Sequence, residues 1–435
     1  MATSVSETAQ RRDVGLAGVV MFGTGTAIGV SIFTVLQPAA SVAGSGLLLA
    51  LLLAAVPMLL FAVTYAYLGS AVPVSGASYE WPRRFLHPFV GFLISWLRIL
   101  SNVGALTVLA QILISYVGMV VALPLKPTMA VLLTIIFALN YIGVSVAARV
   151  QNLLMVLLLG VFGVFVAGGL PQADFSVLTQ ALEAQPLVVL AAVPLMISLF
   201  LGIESAVEIG EEVRQPGRNI PLGIALAIGL TALVYGLVSI TALGALGPEG
   251  LSSSAAPLLE AAQGSLGSWA TPVVVAAAAV AILTSMNSIA LTFSRSLLAM
   301  GRAGAFPTAL GKIHPRFATP HRAVVAGYAL AMTGLLMPTS LIFLLLAVNI
   351  PTMLKYVACS LSAVRVAKAH PEIHARSSLG LGRRAAALSG ILAAVCGLAI
   401  IAVGFQADWR AYALVAGWAV VGVVFWVVRR RIIAA

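Results

Sequence analysis

The chain of 435 residues is poor in charged side chains, which make up only 9% of it, whereas 61% of its residues are hydrophobic. A soluble domain carries about 25% charged residues, so this shortage excludes a large water-soluble domain. The apolar residues come in blocks of about twenty, the length that an α-helix needs to cross a bilayer. The composition therefore predicts an all-α integral membrane protein.

Cysteine is scarce as well. Cys359 and Cys396 are the only two, and their surroundings lack the spacing of metal ligands or of a disulfide framework. The sequence contains no ATP-binding GxxxxGK[ST] loop, no cluster of catalytic residues and no filter-like repeat of a channel. These absences argue against an enzyme, a metal site, a cofactor and direct use of ATP.

Acidic residues are fewer than basic ones, 13 against 24, and the net charge is +11. The positive charge is spread over loops and tails that face anionic lipid headgroups, and no nucleic-acid-binding module is present. The lipid bilayer is therefore the expected partner of this charge, and nucleic acid is not.

The apolar blocks predict twelve membrane-spanning helices. They cover residues 14–42, 46–70, 89–121, 128–146, 148–169, 187–213, 219–247, 269–300, 322–338, 340–366, 384–405 and 410–429. Most Lys and Arg residues fall on one side of this arrangement. Because basic residues concentrate in cytoplasmic loops, both tails, 1–13 and 430–435, are predicted to be cytoplasmic, in a protein of the bacterial inner membrane.

Two of the predicted helices contain helix-breaking stretches. The first span includes GTGTAIGVSIF at 23–33, and the sixth includes SLFLGIESAVEIGEEVRQPGRNIP at 198–221. Irregular backbone within a membrane persists only where it lines a cavity or is buried in protein, although small residues also serve close helix packing. Breaks in corresponding helices of two five-helix halves are typical of inverted-repeat transporters. The repeats would be 14–169 and 187–366, followed by two further helices in 384–429.

A helix that stops and restarts exposes N–H groups at one end and carbonyls at the other. The amides of Val30, Ser31 and Ile32 would suit a substrate carboxylate, and carbonyls near Phe200 and Leu201 an ammonium group. Such a site suits a zwitterion. The predicted substrate-binding residues are Thr26, Ala27, Ile28, Gly29, Val30, Ser31, Phe200, Leu201, Gly202 and Glu204.

Several charged residues lie within the apolar spans. A carboxylate such as Glu204 costs about 2.5–3.5 kcal/mol at the membrane centre, so it is a candidate proton acceptor, or else a buried structural acid near a helix N-terminus. Glu208 is expected one turn further along the same face. Arg98 and Lys355 are intramembrane cations, and they are predicted to act in coupling or gating with Glu204 or Glu208 as partners.

Other polar residues allow two interpretations. Ser285, Asn287 and Ser288 form a candidate ion site with carbonyls of the first break, or they simply hold helices together. Glu211 and Glu212 are interpreted as part of a cytoplasmic gate or of a set of salt bridges. The partners predicted for them are Arg214 and Arg218.

These segments resemble the signature segments of the amino acid, polyamine and organocation (APC) permease superfamily. The motif of the first helix corresponds to residues 28–33, and the F-x-G-x-E motif of the sixth to Phe200, Gly202 and Glu204. The stretches 211–221, 294–307, 314–320 and 349–366 extend the resemblance over the chain. It implies a LeuT-like five-plus-five repeat with two extra helices and transport by alternating access.

The sequence also departs from the superfamily pattern. Val30 and Ser31 stand where the superfamily usually has a small residue followed by glycine, so the substrate pocket should be smaller or differently shaped. No lysine follows Gln151 and Asn152 in the fifth span, so a coupling mechanism based on that lysine does not carry over.

The leading hypothesis is secondary active transport of a small amino acid, driven by a proton or sodium gradient or by exchange. The alternative within the same fold is a carrier of polyamines or other organic cations. A membrane-embedded enzyme and a channel are the alternatives of another class. A monomer and a homodimer are both compatible with the sequence.

Overall fold

The computed structural model of the chain describes residues 12–434, except 30, 255, 337–340 and 405–408. This described part is helical and contains no β-strand, only isolated bridges of Val14 with Val213 and of Ser75 with Ile209. The α-helices are α1 Leu16–Ala27, α2 Ser31–Ala43, α3 Leu47–Ala71, α4 Ala77–Phe85, α5 Pro88–Val117, α6 Leu125–Ile142, α7 Val144–Gly169, α8 Ser176–Glu183, α9 Pro186–Ile197, α10 Pro216–Ser253, α11 Pro257–Leu266, α12 Ala270–Arg302, α13 His321–Met332, α14 Leu341–Ala369, α15 Pro371–His374, α16 Arg383–Gly404 and α17 Trp409–Ala434.

Among the described residues, 10 helical stretches are long and apolar enough to cross a membrane. The predicted ninth and tenth spans, which fall on α13 and α14, are not among them. α13 has 12 residues, which is about 18 Å at 1.5 Å per residue, well short of the ~30 Å hydrocarbon core. α14 has 29 residues, and it begins directly after the stretch 337–340, which lies outside the described residues. The total of twelve spans therefore stays a prediction.

Short helices lie between the predicted spans. They are α4, α8, α11 and α15. Each is too short to span a bilayer, and α4 also carries Glu80, Arg83 and Arg84. Hydropathy over a window of about twenty residues does not detect such elements.

The long helices pack around the broken ones. α10 packs against α1, α2 and α3, α12 against α5 and α7, and α14 against α5 and α16. One buried apolar cluster joins α1, α2, α3, α9 and α10, and a second joins α5, α6, α12 and α13. The end of α1 therefore lies between α10, α7 and α12, in the interior of the bundle.

Both predicted interruptions are present in the structure. α1 ends at Ala27, Ile28 leaves the helical region with ψ 68°, and α2 begins at Ser31. In the sixth span, α9 and a 3₁₀ turn are followed by Leu201 in an extended conformation (ψ 129°) and by Gly202 with φ +101°. The chain then continues as a 3₁₀ helix over Ile203–Glu208, which we call the central segment.

The two interruptions touch each other, and glycine makes the contact possible. A Cβ atom on Gly202 would lie 2.5 Å from Cγ2 of Thr26, and one on Gly23 would lie 2.5 Å from the carbonyl oxygen of Ile203. The positive φ of Gly202 is itself unfavourable for residues with a side chain. Close approach and backbone conformation thus both require glycine where the broken helices meet.

We expect Gly202→Ala to lower the free energy of unfolding by about 2–6 kcal/mol, because positive φ and overpacking each cost about 1–3 kcal/mol. The matched control is Gly229→Ala in α10, where an added Cβ meets nothing within 4 Å and alanine favours the helix. The measurement is thermal unfolding of both purified variants in detergent. Equal melting temperatures for the two variants would contradict the contact.

Candidate substrate and coupling site

Side chains of α10 and α12 bind the carbonyl groups at the C-terminal end of α1. The Tyr235 hydroxyl donates to the Ala27 carbonyl at 2.8 Å. The hydroxyls of Thr284 and Ser285 donate to the Gly25 carbonyl at 3.2 and 3.1 Å. Carbonyls of a last helical turn lack partners within their own helix and need them inside a membrane protein. The broken end of α1 is therefore held by three hydroxyl groups.

The predicted substrate-binding residues gather where the two breaks meet. Ala27, Ile28 and Gly29 are buried, Thr26 and Ser31 are half-buried, and Val30 lies outside the described residues. On the other side Phe200 is fully buried, Leu201 is half-buried, and the Gly202 N–H donates to the Tyr356 hydroxyl at 3.3 Å. The structure thus brings the described members together. Their contact with a substrate stays a prediction.

Glu204 forms a buried ion pair with Lys355. Nζ of Lys355 lies 2.6 Å from Oε1 of Glu204, and the two side chains are 5% and 4% exposed. The same ammonium lies 4.5 Å from the ring centre of Tyr356 and 5.7 Å from that of Tyr65, within the range of cation–π attraction. The Tyr356 hydroxyl also lies beside the Glu204 carboxylate. A carboxylate and two aromatic rings therefore surround one ammonium group.

Glu208 is bound by a different cation. Nη1 of Arg98 in α5 lies 3.4 Å from Oε1 of Glu208. The backbone N–H of Ser78 donates to the other carboxylate oxygen at 3.3 Å, and the Ser78 hydroxyl donates to Oε1. Arg98 and Lys355 therefore pair with Glu208 and Glu204, as predicted for these cations from the sequence. Their role in coupling or gating stays a prediction.

The prediction that Glu204 and Glu208 share one face is wrong. That prediction assumed an α-helix, in which residues four apart lie nearly above one another. The central segment is a 3₁₀ helix with three residues per turn, so residues four apart point about 120° away from each other. Glu204 can therefore pair with α14 while Glu208 pairs with α5.

The carboxylates of Glu211 and Glu212 are also paired, but with other partners than those predicted from the sequence. Glu212 binds Arg295 at 2.9 Å, and the two side chains are 1% and 0% exposed. Glu211 binds Arg302 at 3.0 Å in a half-exposed position. Both arginines belong to α12, whereas the predicted partner Arg214 lies 4.0 Å from Asp13.

Four carboxylates in residues 204–212 thus pair with cations from three other helices, an arrangement that we call the ion-pair column. Its members are Glu204, Glu208, Glu211 and Glu212 with Lys355, Arg98, Arg302 and Arg295. Its formal charges sum to zero. Such pairing is what permits carboxylates inside an apolar bundle.

The candidate ion-site residues separate in the structure. Ser285 reaches the broken end of α1, as described above. Asn287 accepts a hydrogen bond from Asn140 at 3.0 Å and donates one to Gln151 at 3.0 Å, and Gln151 donates to Ser288 at 3.1 Å. Asn287 and Ser288 therefore belong to a buried amide network that joins α12 to α6 and α7, and Gln151 of this network packs against Gly25 near the end of α1.

Several residues of the site were not selected from the sequence. Tyr235 lies in an otherwise apolar stretch and Thr284 directly precedes Ser285, positions that small polar helix-packing residues also occupy. Tyr356 follows Lys355 directly and could have been examined as its neighbour. Arg295 offered a clearer signal, because it lies inside the predicted eighth span, where a charged residue requires a partner.

Residues 5–428 match the family model described as amino acid permease. The chain belongs to the amino acid permease family. It is therefore an integral membrane transporter with a small-molecule substrate, and it is not an enzyme.

Relatives of this chain are named for different substrates. A Mycobacterium tuberculosis protein, named only as an uncharacterized transporter, is 38% identical over 74% of this chain and 73% of its own length. A branched-chain amino acid permease of Bacillus subtilis is 26% identical over 86% and 84% of the two chains. A methylthioribose transporter of the same species is 26% identical over 84% and 83%. Relatives of this chain are thus named for chemically different solutes.

We expect Arg295→Met to lower the free energy of unfolding by about 3–5 kcal/mol, because it removes the cationic partner of the buried Glu212 carboxylate. Adding Glu212→Gln should restore most of the loss, since the double variant buries no net charge. The control, Arg302→Met, removes a half-exposed partner and should cost about 0–1 kcal/mol. Thermal unfolding in detergent measures all three, and equal losses in the two single variants would contradict the assignment.

Proposed function

We propose that this permease is a secondary active transporter that carries a small neutral amino acid across the bacterial cytoplasmic membrane by alternating access. The supporting observation is the charge balance where the two broken helices meet. The carboxylate of Glu204 is paired with Lys355 and that of Glu208 with Arg98. A solute with no net charge leaves this balance intact when it binds.

A polyamine carrier is the alternative within the same fold, and the charge balance disfavours it. A cation entering an apolar bundle must find a carboxylate that is free to neutralise it, because burial of an unpaired charge is costly. Both carboxylates of the central segment already have cationic partners from the protein itself.

In this proposal the chain forms twelve spanning helices with both termini in the cytoplasm. The inverted repeats are residues 14–169 and 187–366, and 384–429 adds two helices. The substrate would bind between the first and sixth spans, with its carboxylate at the amides after Gly29 and its ammonium group at the carbonyls near Leu201. The working unit is a monomer or a homodimer.

The proposed driving force is a proton or sodium gradient, or exchange of one solute for another. A sodium ion would use the oxygen atoms at the end of α1, where the Gly25 carbonyl meets the Thr284 and Ser285 hydroxyls. A proton would use the Glu204 carboxylate. The two cases differ in which side chain the coupling depends on.

The function is tested by uptake into proteoliposomes that contain the purified protein. We expect neutral amino acids to inhibit one another's uptake. The half-inhibitory concentrations of their decarboxylated amines and of spermidine should be higher by on the order of tenfold or more, a difference in binding free energy of about 1.4 kcal/mol. Preloading the vesicles with unlabelled solute should accelerate uptake. Competition by amines alone would overturn the amino acid assignment, and uptake without counterflow would indicate a channel.

The coupling ion is tested with the same vesicles under an imposed sodium or proton gradient. If sodium drives uptake, Ser285→Ala should raise the sodium concentration needed for half-maximal uptake, and the control Ser288→Ala in the amide network should not. If protons drive uptake, Glu204→Gln should lose the response to the gradient while retaining exchange. A sodium dependence altered equally by both serine variants would contradict the site at the end of α1.

A further inference from the structure

The surroundings of the Lys355 ammonium have the composition of a binding site for an alkylammonium ion. Recognition of such ions in proteins uses aromatic faces within about 6 Å and a carboxylate that neutralises the charge. Here Tyr356 and Tyr65 supply the aromatic faces at 4.5 and 5.7 Å, and Glu204 supplies the carboxylate at 2.6 Å. Three separate elements, α14, α3 and the central segment, contribute these groups.

The aromatic groups are themselves held in place. The rings of Tyr65 and Tyr356 meet edge to face with centres 5.4 Å apart, and Phe61 and Trp81 pack on them at 4.6 and 5.7 Å. All four rings are almost completely buried. The arrangement therefore does not depend on the lysine alone, and it would keep its shape around another ammonium group of similar size.

This site lies directly beside the proposed substrate position. Tyr356 accepts a hydrogen bond from the Gly202 N–H at the break of the sixth span, and Gly202 packs against Thr26 at the break of the first. Glu204 follows Gly202 by two residues. A solute held between the breaks would therefore be close to the same carboxylate and the same aromatic rings.

We propose that Lys355 occupies, with its own side chain, an alkylammonium-binding site formed by Glu204, Tyr65 and Tyr356, and that this occupation excludes cationic amines from the transporter. Lys355 is then a specificity-determining residue. This inference rests on the proposed transport of neutral amino acids, and it names the residue that prevents the same fold from accepting amines.

Removal of the lysine side chain should open the site to an amine of matching size. Lys355→Ala deletes Cγ, Cδ, Cε and Nζ, and n-propylamine has the same four heavy atoms. Cavities left by large-to-small substitutions in protein interiors can bind small ligands of matching shape. In this cavity the ligand would also restore the ion pair with Glu204.

The test is thermal unfolding of purified variants in detergent with n-propylammonium chloride. We expect Lys355→Ala to melt about 3 °C or more higher with millimolar n-propylammonium, because a ligand of the folded state alone stabilises it. Wild type and Lys355→Met, in which the site is filled, should show no such shift. The double variant Glu204→Gln/Lys355→Ala should lose the response, and n-propanol, which lacks the charge, should not reproduce it.

Each remaining outcome would overturn the proposal. These outcomes are a folded Lys355→Ala protein that does not respond, an equal response in Lys355→Met or wild type, an equal response to n-propanol, and a response that survives Glu204→Gln. If Lys355→Ala is not recovered in folded form, it and Lys355→Ser are expressed with n-propylammonium in the medium. If folded Lys355→Ala or Lys355→Ser protein is obtained only when the amine is present, the site is supported. If neither variant folds even with the amine, while Lys355→Met does fold, the site is contradicted.

The failure of this inference and the failure of the proposed function are distinguishable. Stabilisation of the wild-type protein by neutral amino acids, measured in the same assay, tests the proposed function without any variant. A response of Lys355→Ala to n-propylammonium in a protein that no neutral amino acid stabilises would support the amine site and reject the amino acid assignment. The reverse result would retain the amino acid assignment and reject Lys355 as the specificity determinant.

Discussion

The rest of the structure depends on the pairing of carboxylates inside an apolar bundle. Residues 204–212 carry four glutamates, and all four lie within the predicted sixth span, 187–213. A buried charge without a partner would cost several kcal/mol, so each carboxylate determines where a cation of another helix must lie. α5, α12 and α14 are tied to the same short segment in this way. The position of that segment is fixed by electrostatics as much as by packing.

The break in the first helix is stabilised by different chemistry. Hydroxyl groups of Tyr235, Thr284 and Ser285 satisfy the carbonyls there, and no formal charge is involved in these bonds. One broken helix is therefore held by neutral hydrogen bonds and the other by ion pairs. In the proposed binding mode, a solute between them would have ion pairs on one side and neutral hydroxyl groups on the other.

The sequence predicted most of the architecture because membrane helices follow a simple physical rule. Apolar length and helix-breaking glycines identified ten of the twelve predicted spans, as far as the described residues show, and both interruptions. The cost of intramembrane charge connected Lys355 and Arg98 to Glu204 and Glu208. The prediction failed where it required the local winding of the chain. Assumption of an α-helix placed Glu204 and Glu208 on one face, and hydropathy could not detect α4 or α8. The Arg295 partner of Glu212 was missed because Arg295, although it lies inside the predicted eighth span, was not treated as an intramembrane cation.

The 3₁₀ winding of the central segment also has a consequence for its length. Six residues rise about 12 Å as a 3₁₀ helix and about 9 Å as an α-helix. Ile203–Glu208 therefore spans roughly 3 Å more than the same residues would in α-helical form. Rewinding would draw the end of the segment toward Gly202 and rotate Glu208 relative to Glu204. The segment between the helix break and the start of α10 is thus longer than its α-helical form by about the donor–acceptor distance of one hydrogen bond.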